Sequence, residues 1–262
     1  MDKKNTLKII KIGGNVIDDP TALSLFLDTF SSLEGSKILV HGGGKSATAL
    51  AQKTGLEVQM VDGRRITDAA TLELITMVYA GKINKTIVAQ LQALDCNALG
   101  FTGADANTIT SKKRPISTID YGFVGDVEKV ETSTLELLLN HGISPVFCAL
   151  THDQNGQLLN TNADTIASEL AIAFAAKFEV ELYYCFEKKG VLEDVNDESS
   201  VIEKITQTSY KELLDSQVIY EGMLPKLNNC FHALEHQVFK VCIGKPEMLL
   251  DPKAIFTTLT IQ

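Results

Sequence analysis

The alternation of short β-rich runs with longer helical patterns is the feature that most constrains this sequence. The run LKIIKI at residues 7–12 precedes a helical pattern from about Thr21 to Leu33, and SKILV at residues 36–40 precedes a helix that begins near Lys45. Strands that alternate with helices in this way are typical of a largely parallel sheet. The pattern therefore predicts an α/β protein with helices on both faces of a central sheet.

The middle of the chain departs from this alternation. Residues 66–94 carry apolar side chains three and four apart, which predicts one or two helices, and residues 97–101 then resemble a strand. Residues 106–130 combine Thr/Ile alternation with proline and glycine, which favours antiparallel hairpins lying over the sheet. The sequence thus predicts a small antiparallel unit beside the parallel one.

The parallel pattern resumes towards the C-terminus. It predicts a strand at residues 143–150, a helix at about residues 163–176 and a further strand at residues 180–186. The spacing of Ser209 and Glu212 is typical of a capping box, which indicates where the next helix begins.

A boundary between two lobes is expected near residues 177–179, although no linker composition marks it. We therefore expect an N-terminal lobe of residues 1–178 and a C-terminal lobe of residues 179–262. Without a flexible linker between them, the two lobes should share one continuous sheet.

The charge and cysteine content argue against several classes of protein. The formal net charge is −9, whereas binding to nucleic acid or to an anionic membrane surface needs clustered lysine and arginine. The five cysteines are widely spaced and form no C-x-x-C motif, as expected for reduced thiols in the cytosol. No apolar run approaches the roughly 18 to 20 residues that cross a bilayer. We expect a soluble cytoplasmic protein that binds neither nucleic acid nor membranes.

Two of the predicted strands end directly in glycines, in KIIKIGGN and in VHGGGKSA. Ligands of open α/β sheets bind beyond the carboxyl ends of the strands, where glycines let backbone N–H groups approach a phosphate or carboxylate. The plainer alternative is that these glycines only form tight turns between strand and helix. Lys11 precedes the first glycine pair, and a buried ammonium requires a partner. The two loops therefore predict one cleft that handles anions.

The loop VHGGGKSA resembles three known motifs to different degrees. A P-loop would need glycine at Leu39, and a lipase-like oxyanion loop would need a G-x-S-x-G motif that this sequence lacks. A dinucleotide-binding pattern G-x-G-x-x-A fits Gly42, Gly44 and Ala47, with Asp62 twenty residues beyond Gly42. An NAD(P)-dependent oxidoreductase therefore remains an alternative.

Three polar clusters are harder to explain as structure alone: DGRRIT at residues 62–67, LLNTNAD at residues 158–164 and EGMLPK at residues 221–226. Arg65 could fork onto a carboxylate, Asn160 could hydrogen-bond beside it, and Lys226 lies in the first turn of a predicted helix. In LLNTNAD, the alternative is that Asn160 or Asn162 caps a helix.

Two further groups of residues are better explained without a ligand. His232 and His236 are four residues apart on a predicted helix, with Cys230 and Cys242 nearby. Because no complete set of metal ligands at a familiar spacing is found, we assign no metal site. The basic run KKRP at residues 112–115 is interpreted as a solvated hairpin turn, since it stands alone in an acidic protein.

Taken together and in this order, seven motifs resemble the amino acid kinase family: KIGGN, VHGGG, DGRRIT, AGKINK, GFVGDV, LLNTNAD and GMLPK. The K-x-G-G start is found across the family. In contrast, G-R-R-I-T followed by N-x-N-A-D is similar to the branch that phosphorylates N-acylated glutamate. The resemblance implies an open three-layer α/β/α sandwich with a mainly parallel central sheet. Its N-terminal lobe would bind the acylated amino acid and form a dimer, and its C-terminal lobe would bind ATP.

By this resemblance, the expected reaction transfers a phosphoryl group from ATP, which brings Mg²⁺, to the side-chain carboxylate of N-acetyl-L-glutamate, in the second step of arginine biosynthesis. Another N-acyl-glutamate such as N-succinyl-L-glutamate remains an alternative substrate. A non-catalytic nucleotide or amino-acid sensor is a further alternative. It arises because FEKKGVL, residues 186–192, replaces the Ser/Thr-Asp-Val-x-Gly-like turn that the family usually has near the nucleotide.

The resemblance also implies roles for individual residues. Lys11 and Lys226 would stabilise the transferring phosphoryl group, and Asp164 would orient both lysines. The residues expected to hold the acylated amino acid are Gly43, Gly44, Arg65 and Asn160. The residues expected to contact ATP are Gly13, Gly14, Glu187, Lys189, Gly190, Leu192 and Tyr220.

The N-terminal segment gives an expectation about assembly. Arginine-inhibited members of the family carry an extra N-terminal helix that builds hexamers, whereas the first predicted strand here begins near Leu7. By resemblance, we therefore expect a homodimer that arginine does not inhibit.

Overall fold

The computed structural model describes residues 5–61, 64–194, 196–216, 223–251 and 253–262. Its strands are β1 (Thr6–Ile12), β2 (Ser36–His41), β3 (Met60–Val61), β4 (Arg64–Arg65), β5 (Ala98–Phe101), β6 (Ile109–Lys113), β7 (Gly125–Val130), β8 (Ser144–Cys148), β9 (Leu150–His152), β10 (Leu158–Asn160), β11 (Glu179–Cys185), β12 (Lys204–Thr206), β13 (Lys240–Gly244) and β14 (Thr257–Thr260). Its α-helices are α1 (Gly14–Asp18), α2 (Pro20–Ser32), α3 (Gly44–Thr54), α4 (Ala69–Thr76), α5 (Asn84–Ala93), α6 (Ser133–Asn140), α7 (Ala163–Ala175), α8 (Gln207–Asp215) and α9 (Leu224–Glu235). A π-helical segment (Met77–Ile83) joins α4 to α5, and short 3₁₀ turns lie at Asp105–Asn107 and Pro246–Leu249.

A central sheet of eight strands organises the fold, in the order β12-β14-β13-β11-β1-β2-β8-β5. The strands from β13 to β5 in this order run parallel, while β14 runs antiparallel to β13 and parallel to β12. Helix α7 packs on β1 and β11, and α2 packs against α5. The predicted α/β class with a mainly parallel sheet is confirmed.

The strand order reverses at β1. The chain proceeds from β1 to β2 on one side and later returns to β11 on the other, so the carboxyl end of β1 is a topological switch point. Strand β11 begins at Glu179 and pairs with both β1 and β13, so the sheet continues across residues 177–179. Ligands of open α/β sheets bind at such a switch point, which directs attention to the residues that follow β1.

Strand β1 lies in the interior of this sheet, between β11 and β2. The apolar side chains of β1 that are fully buried are Leu7, Ile9, Ile10 and Ile12. Burying one such side chain is worth about 1.5 to 3 kcal/mol, so the run accounts for the position of β1 at the centre. Lys11 interrupts the run, and the register places it between Tyr184 of β11 and Val40 of β2.

A second sheet has the order β10-β9-β6-β7, with antiparallel pairs β6/β7 and β9/β10 joined by a parallel contact between β6 and β9. It confirms the hairpin arrangement predicted for residues 106–130. The single strand predicted at residues 143–150 is wrong, because the chain divides at Ala149 and only β8 stays in the central sheet. Two backbone hydrogen bonds hold the segment that follows β8 away from the central sheet. The N–H of Thr161 donates to the carbonyl oxygen of Ala149, and the N–H of Gly103 donates to that of Leu150.

Residues 69–93 are helical throughout, as the spacing of the apolar residues predicted. The middle of this helix, Met77–Ile83, is π-helical. The backbone N–H of Asn84 donates to the carbonyl oxygen of Tyr79, five residues earlier. π-helical turns are uncommon and frequently lie at functional sites.

The capping box predicted from Ser209 and Glu212 is wrong by three residues. Helix α8 begins at Gln207, and Thr206 is its N-cap. The Thr206 hydroxyl accepts from the Ser209 N–H at 3.0 Å, and the Ser209 hydroxyl accepts from the Thr206 N–H at 2.9 Å. Ser209 is therefore the third helical residue of the box, because a second hydroxyl earlier in the sequence competes for the capping position.

All five cysteines are buried and their thiols are free. Burial raises the pKa of Cys148 to about 12 and the pKa of Cys242 to about 11, so both thiols stay protonated at neutral pH. Among the described residues, no helix is both long enough and apolar enough to cross a membrane.

Lys37 of β2 is a buried lysine on the edge of the sheet away from the carboxyl end of β1. Its ammonium donates to the carbonyl oxygens of Phe30, Ser31 and Leu33 at 2.8, 2.9 and 2.7 Å. Those carbonyls lie at the end of α2, where a helix has no donors of its own. Burial lowers the pKa of Lys37, yet these three acceptors compensate its charge with the helix dipole.

Replacing Lys37 by alanine should lower the free energy of unfolding by about 2 kcal/mol, because the carbonyls lose their donor inside the protein. Urea unfolding measures this difference. Lys53→Ala, at the exposed end of α3, is the matched control and should change the free energy of unfolding by less than about 0.5 kcal/mol. Equal effects of the two substitutions would contradict the proposed capping by Lys37.

Candidate active site

Three charged side chains from distant parts of the sequence meet at the carboxyl end of β1. The Nζ of Lys11 lies 2.6 Å from Oδ1 of Asp164, and the Nζ of Lys226 lies 3.2 Å from Oδ2 of the same carboxylate. Lys11 is the penultimate residue of β1, Asp164 the second residue of α7 and Lys226 the third residue of α9. The three residues predicted to be catalytic therefore form one cluster, which we call the charge triad.

The electrostatics of the charge triad follow from its burial. Burial would raise the pKa of Asp164, but the ammonium groups of Lys11 and Lys226 outweigh it and hold that pKa well below its ordinary value. Burial lowers the pKa of Lys11; the charge of Asp164 opposes this shift and the charge of Lys226 adds to it. Two cations facing one anion leave a net positive charge, which favours the approach of an anion such as a phosphate.

Lys226 is held by aromatic side chains as well as by Asp164. Its Nζ lies 5.6 Å from the ring centroid of Tyr184 and 5.9 Å from that of Phe186, within the range of cation–π attraction. The Tyr184 hydroxyl donates to the carbonyl oxygen of Asp164 at 3.1 Å. Sequence reasoning missed both aromatic residues, although they lie at the end of a predicted strand, where side chains of α/β sheets often face a ligand.

The two glycine loops are joined to each other beside the charge triad. The backbone N–H of Gly13 donates to the carbonyl oxygen of Cys185 at 2.9 Å, and α1 begins at Gly14. The side chain of Lys45, in α3, donates to Asn15 in α1. These contacts agree with the prediction that the two loops border a single cleft.

Arg65 lies at the second glycine loop with unused hydrogen-bonding capacity. Its Nη2 donates to the carbonyl oxygen of Gly44 at 2.9 Å and to the hydroxyl of Thr48 at 2.8 Å. Its Nη1 is buried and has no hydrogen-bond partner in the protein. A buried charged donor without a partner is costly, so this atom indicates a place for a carboxylate.

Asn160 is connected to Arg65 through a threonine that sequence reasoning did not single out. The side-chain amide of Asn160 donates to the Thr67 hydroxyl at 3.0 Å, and that hydroxyl donates to the carbonyl oxygen of Arg65 at 3.2 Å. The cap of α7 is Asn162, whose side chain accepts from the backbone N–H of Asp164. Of the two residues that could cap α7, Asn162 is therefore the cap. The side chain of Asn160 instead bonds to Thr67.

The glycine at the end of β2 is oriented by a buried histidine. Nδ1 of His41 donates to the carbonyl oxygen of Gly42 at 2.7 Å, and Nε2 accepts from the side-chain amide of Asn84 at 3.1 Å. Burial lowers the pKa of His41 to about 4, so the imidazole is neutral at physiological pH. Both residues lie in quoted motifs, but nothing in the local pattern signals their pairing.

The residues predicted to contact ATP follow β1 and β11. Glu187 and Lys189 are exposed, and Lys188 is paired with Glu198 at 2.9 Å. At Gly190, a Cβ would lie 2.6 Å from the hydroxyl oxygen of Thr257, so no larger residue fits.

Three other positions complete this region. Leu192 forms an isolated antiparallel bridge with Val201. The predicted ATP contact Tyr220, and Asp62 of the dinucleotide pattern, lie outside the described residues.

The other candidate ligand groups have structural partners. The Nε2 of His232 lies 3.5 Å from a carboxylate oxygen of Glu169. Within the described part of the chain, no group of three or more His, Cys, Asp or Glu residues could hold a metal ion. In the KKRP run, Arg114 donates to both carboxylate oxygens of Asp126, with the shortest contact at 2.6 Å.

Known proteins resemble this chain over nearly its whole length. The sequence profile of the amino acid kinase family matches residues 6–245. The chain belongs to the amino acid kinase family. Membership accounts for the order of the motifs and replaces the dinucleotide interpretation of VHGGGKSA.

Individual relatives support the same assignment. An acetylglutamate kinase of Cytophaga hutchinsonii is 58% identical over 246 residues, which are 94% of this chain and 93% of that protein. An acetylglutamate kinase of Phocaeicola vulgatus is 55% identical over 240 residues, 92% of this chain and 93% of that protein. The crystal structure of smu.665 from Streptococcus mutans UA159 superposes with a TM-score of 0.78 at 25% identity, covering 98% of this chain and 99% of the other. The family fold is thereby confirmed.

The charge triad generates a prediction about stability. Asp164→Asn should lower the free energy of unfolding by about 3 kcal/mol at neutral pH, because two buried ammonium groups lose their anion. Because the fold lowers the pKa of Asp164, its contribution is complete above about pH 4 and is lost as the pH falls further. The difference between wild type and variant should therefore stay constant from neutral pH to about pH 5 and shrink in stronger acid.

Urea unfolding at several pH values measures this difference. Glu128→Gln is the matched control, since Glu128 forms a half-exposed ion pair with Lys112 at 3.5 Å and should contribute less than about 1 kcal/mol. A difference between wild type and Asp164→Asn that grows in acid would contradict the role of Asp164 as counter-ion.

Proposed function

We propose that this protein is an acetylglutamate kinase, which transfers the γ-phosphoryl group of ATP to the side-chain carboxylate of N-acetyl-L-glutamate, as in arginine biosynthesis. The observation that carries the proposal is the charge triad at the switch point of the sheet, where Asp164 contacts Lys11 at 2.6 Å and Lys226 at 3.2 Å. The close relatives that bear this name support the same substrate.

The chemistry needs positioned cations more than it needs an acid or a base. In phosphoryl transfer, charge is spread over the equatorial oxygens of the transferring group, so catalysis depends on positioning and on electrostatic stabilisation. The nucleophile is a carboxylate with an ordinary pKa of about 4.3, and it is already ionised at neutral pH. In the proposed mechanism, Lys11 and Lys226 stabilise the transferring group, and Asp164 fixes the positions of both ammonium groups.

The proposed site for the acylated amino acid consists of Gly43, Gly44, Arg65 and Asn160. It is supported by the buried, unpartnered Nη1 of Arg65, which a substrate carboxylate would satisfy. It is also supported by the hydrogen bonds that hold Asn160 to Thr67, and Thr67 to the backbone of Arg65. A substrate with two carboxylates fits this arrangement, since one can be held at Arg65 while the other reaches the charge triad.

The proposed nucleotide site lies beyond the ends of β1 and β11. The residues proposed to line it are Gly13, Gly14, Glu187, Lys189, Gly190, Leu192 and Tyr220. The close packing at Gly190, with no room for a Cβ, supports a loop held in a defined position. Because the described residues contain no cluster of metal ligands, Mg²⁺ would be held chiefly by the ATP phosphates. When bound, the ion neutralises charge on those phosphates.

The lobe of residues 1–178 would bind the acylated amino acid and form a homodimer, and the lobe of residues 179–262 would bind ATP. Exposed apolar side chains at Leu94, directly after α5, and at Leu99, in the edge strand β5, are compatible with a dimer contact in the first lobe. A cytoplasmic location is supported by five free thiols, which persist in a reducing compartment.

The acyl group of the substrate can be tested directly. A hydroxamate assay with ATP and Mg²⁺ should detect acyl phosphate from N-acetyl-L-glutamate, and N-succinyl-L-glutamate should be run beside it. We expect the acetyl substrate to have the higher kcat/KM. Preference for the succinyl substrate would change the proposed specificity, and turnover of neither would favour a non-catalytic sensor.

Two substitutions separate the roles of the proposed residues. Lys11→Ala should reduce kcat at least about 100-fold with little change in KM, because its ammonium acts on the transition state. Arg65→Ala should mainly raise the KM for the acylated amino acid, by about tenfold or more, because it removes a charged hydrogen bond to bound substrate.

Steady-state kinetics measures both effects, and the melting temperature of each variant shows whether it is folded. Arg64→Ala is the matched control for Arg65, since Arg64 is its exposed neighbour in β4. Changes confined to KM in both active-site variants would contradict the assigned roles.

A further inference from the structure

Tyr79 is a buried residue at the second glycine loop that no motif singled out. It lies in the π-helical segment and is 5% exposed. A Cβ on Gly43 would lie 2.8 Å from Cδ1 of Tyr79 and 2.5 Å from Cδ1 of Ile83. The Tyr79 ring therefore packs directly on the backbone of Gly43, and only glycine permits this approach.

The hydroxyl of Tyr79 extends towards Gly44 and Arg65. Its oxygen lies 4.0 Å from the position that a Cβ of Gly44 would occupy, and the carbonyl oxygen of Gly44 accepts from Nη2 of Arg65 at 2.9 Å. Burial raises the pKa of Tyr79, and the neighbouring guanidinium of Arg65 opposes only part of this shift. The phenol therefore keeps its proton at neutral pH and can donate a hydrogen bond.

Asn84 fixes the position of the Tyr79 backbone. The backbone N–H of Asn84 donates to the carbonyl oxygen of Tyr79. The side-chain amide of Asn84 donates to Nε2 of His41 at 3.1 Å and to the carbonyl oxygen of Val146 at 2.9 Å. The π-helical turn is thus tied to β2 and β8, so that the phenol is held in a rigid setting.

Arg65 has a free donor at the same loop. Its side chain is 8% exposed, and its Nη1 is buried without a hydrogen-bond partner. A carboxylate has two oxygens, and beside Arg65 it would meet both this N–H and a phenol O–H. Hydrogen bonds from such donors to an ionised acceptor are the strong ones.

We propose that Tyr79 is a specificity-determining residue whose phenol, together with Arg65, binds the carboxylate of the acylated glutamate that is not phosphorylated. The reacting carboxylate must reach the phosphoryl group beside Lys11 and Lys226. Arg65 is bonded instead to Gly44 and Thr48, which leaves it for the other carboxylate. The inference rests on the proposed function, since it names which part of that substrate the site selects.

The test compares wild type with Tyr79→Phe, which keeps the ring packed on Gly43 and removes only the hydroxyl. We expect the KM for N-acetyl-L-glutamate to rise about tenfold while kcat stays within about twofold, as for loss of one charged hydrogen bond to bound substrate. Tyr183→Phe is the matched control: it removes the hydroxyl that Tyr183 donates to Glu181, and it should leave both constants unchanged.

A second ligand separates recognition of the carboxylate from a purely structural effect. N-acetyl-L-isoglutamine carries a carboxamide in place of the α-carboxylate, and calorimetry gives its affinity and that of N-acetyl-L-glutamate for both proteins. We expect Tyr79→Phe to weaken binding of N-acetyl-L-glutamate about tenfold and to change binding of the carboxamide by less than about twofold. Equal losses for both ligands, or no loss for either, would overturn the proposal.

The same design keeps the inference separate from the proposed function. Absence of turnover in the wild type would count against the kinase activity alone. The calorimetric comparison of the two ligands would still decide whether Tyr79 recognises the α-carboxylate.

Discussion

One buried carboxylate determines how the centre of this molecule can be arranged. Removing an ion from water costs several kcal/mol even after relaxation, so Lys11 can end a buried strand only if an anion meets it there. Asp164 does so at 2.6 Å and also binds Lys226 at 3.2 Å. Because these residues begin or end β1, α7 and α9, the charge balance is satisfied only when all three elements converge. Lys226 also places a cation near a helix N-terminus, where the dipole disfavours it, and Asp164 compensates that cost as well.

The rest of the site is built around this centre from two directions. On one side, β4, α3 and the π-helical segment bring Arg65, Gly44 and Tyr79 together, and the second sheet adds Asn160. On the other side, β11 pairs with β1, so the loop after β11 begins beside the carboxyl end of β1. The two halves meet at the carboxyl end of β1 because the strand order reverses there, so the proposed sites for the acylated amino acid and for the nucleotide lie on opposite sides of this point.

Two glycines of these loops are required by the packing of side chains against them. At Gly43 the missing Cβ makes room for Tyr79 and Ile83, and at Gly190 it makes room for Thr257. At Gly13, in contrast, a Cβ would have only ordinary contacts, the nearest at 3.5 Å. Packing of side chains therefore requires glycine at Gly43 and Gly190 but not at Gly13.

The sequence by itself determined the order of strands and helices, the buried run of β1 and the chemical types available at the site, because hydrophobic period and residue chemistry are local properties. It also indicated Lys11, Asp164 and Lys226 through the order of motifs. Only the tertiary structure decided which side chains meet. Contact between Asp164 and two lysines, or between Tyr79 and Gly43, joins residues with no shared local pattern. Local signals also failed where two solutions were equally good: Thr206 and Ser209 both could cap α8, and the run around Ala149 could serve either sheet. Packing of the whole chain chose between them, since each contact depends on elements that converge only in the folded protein.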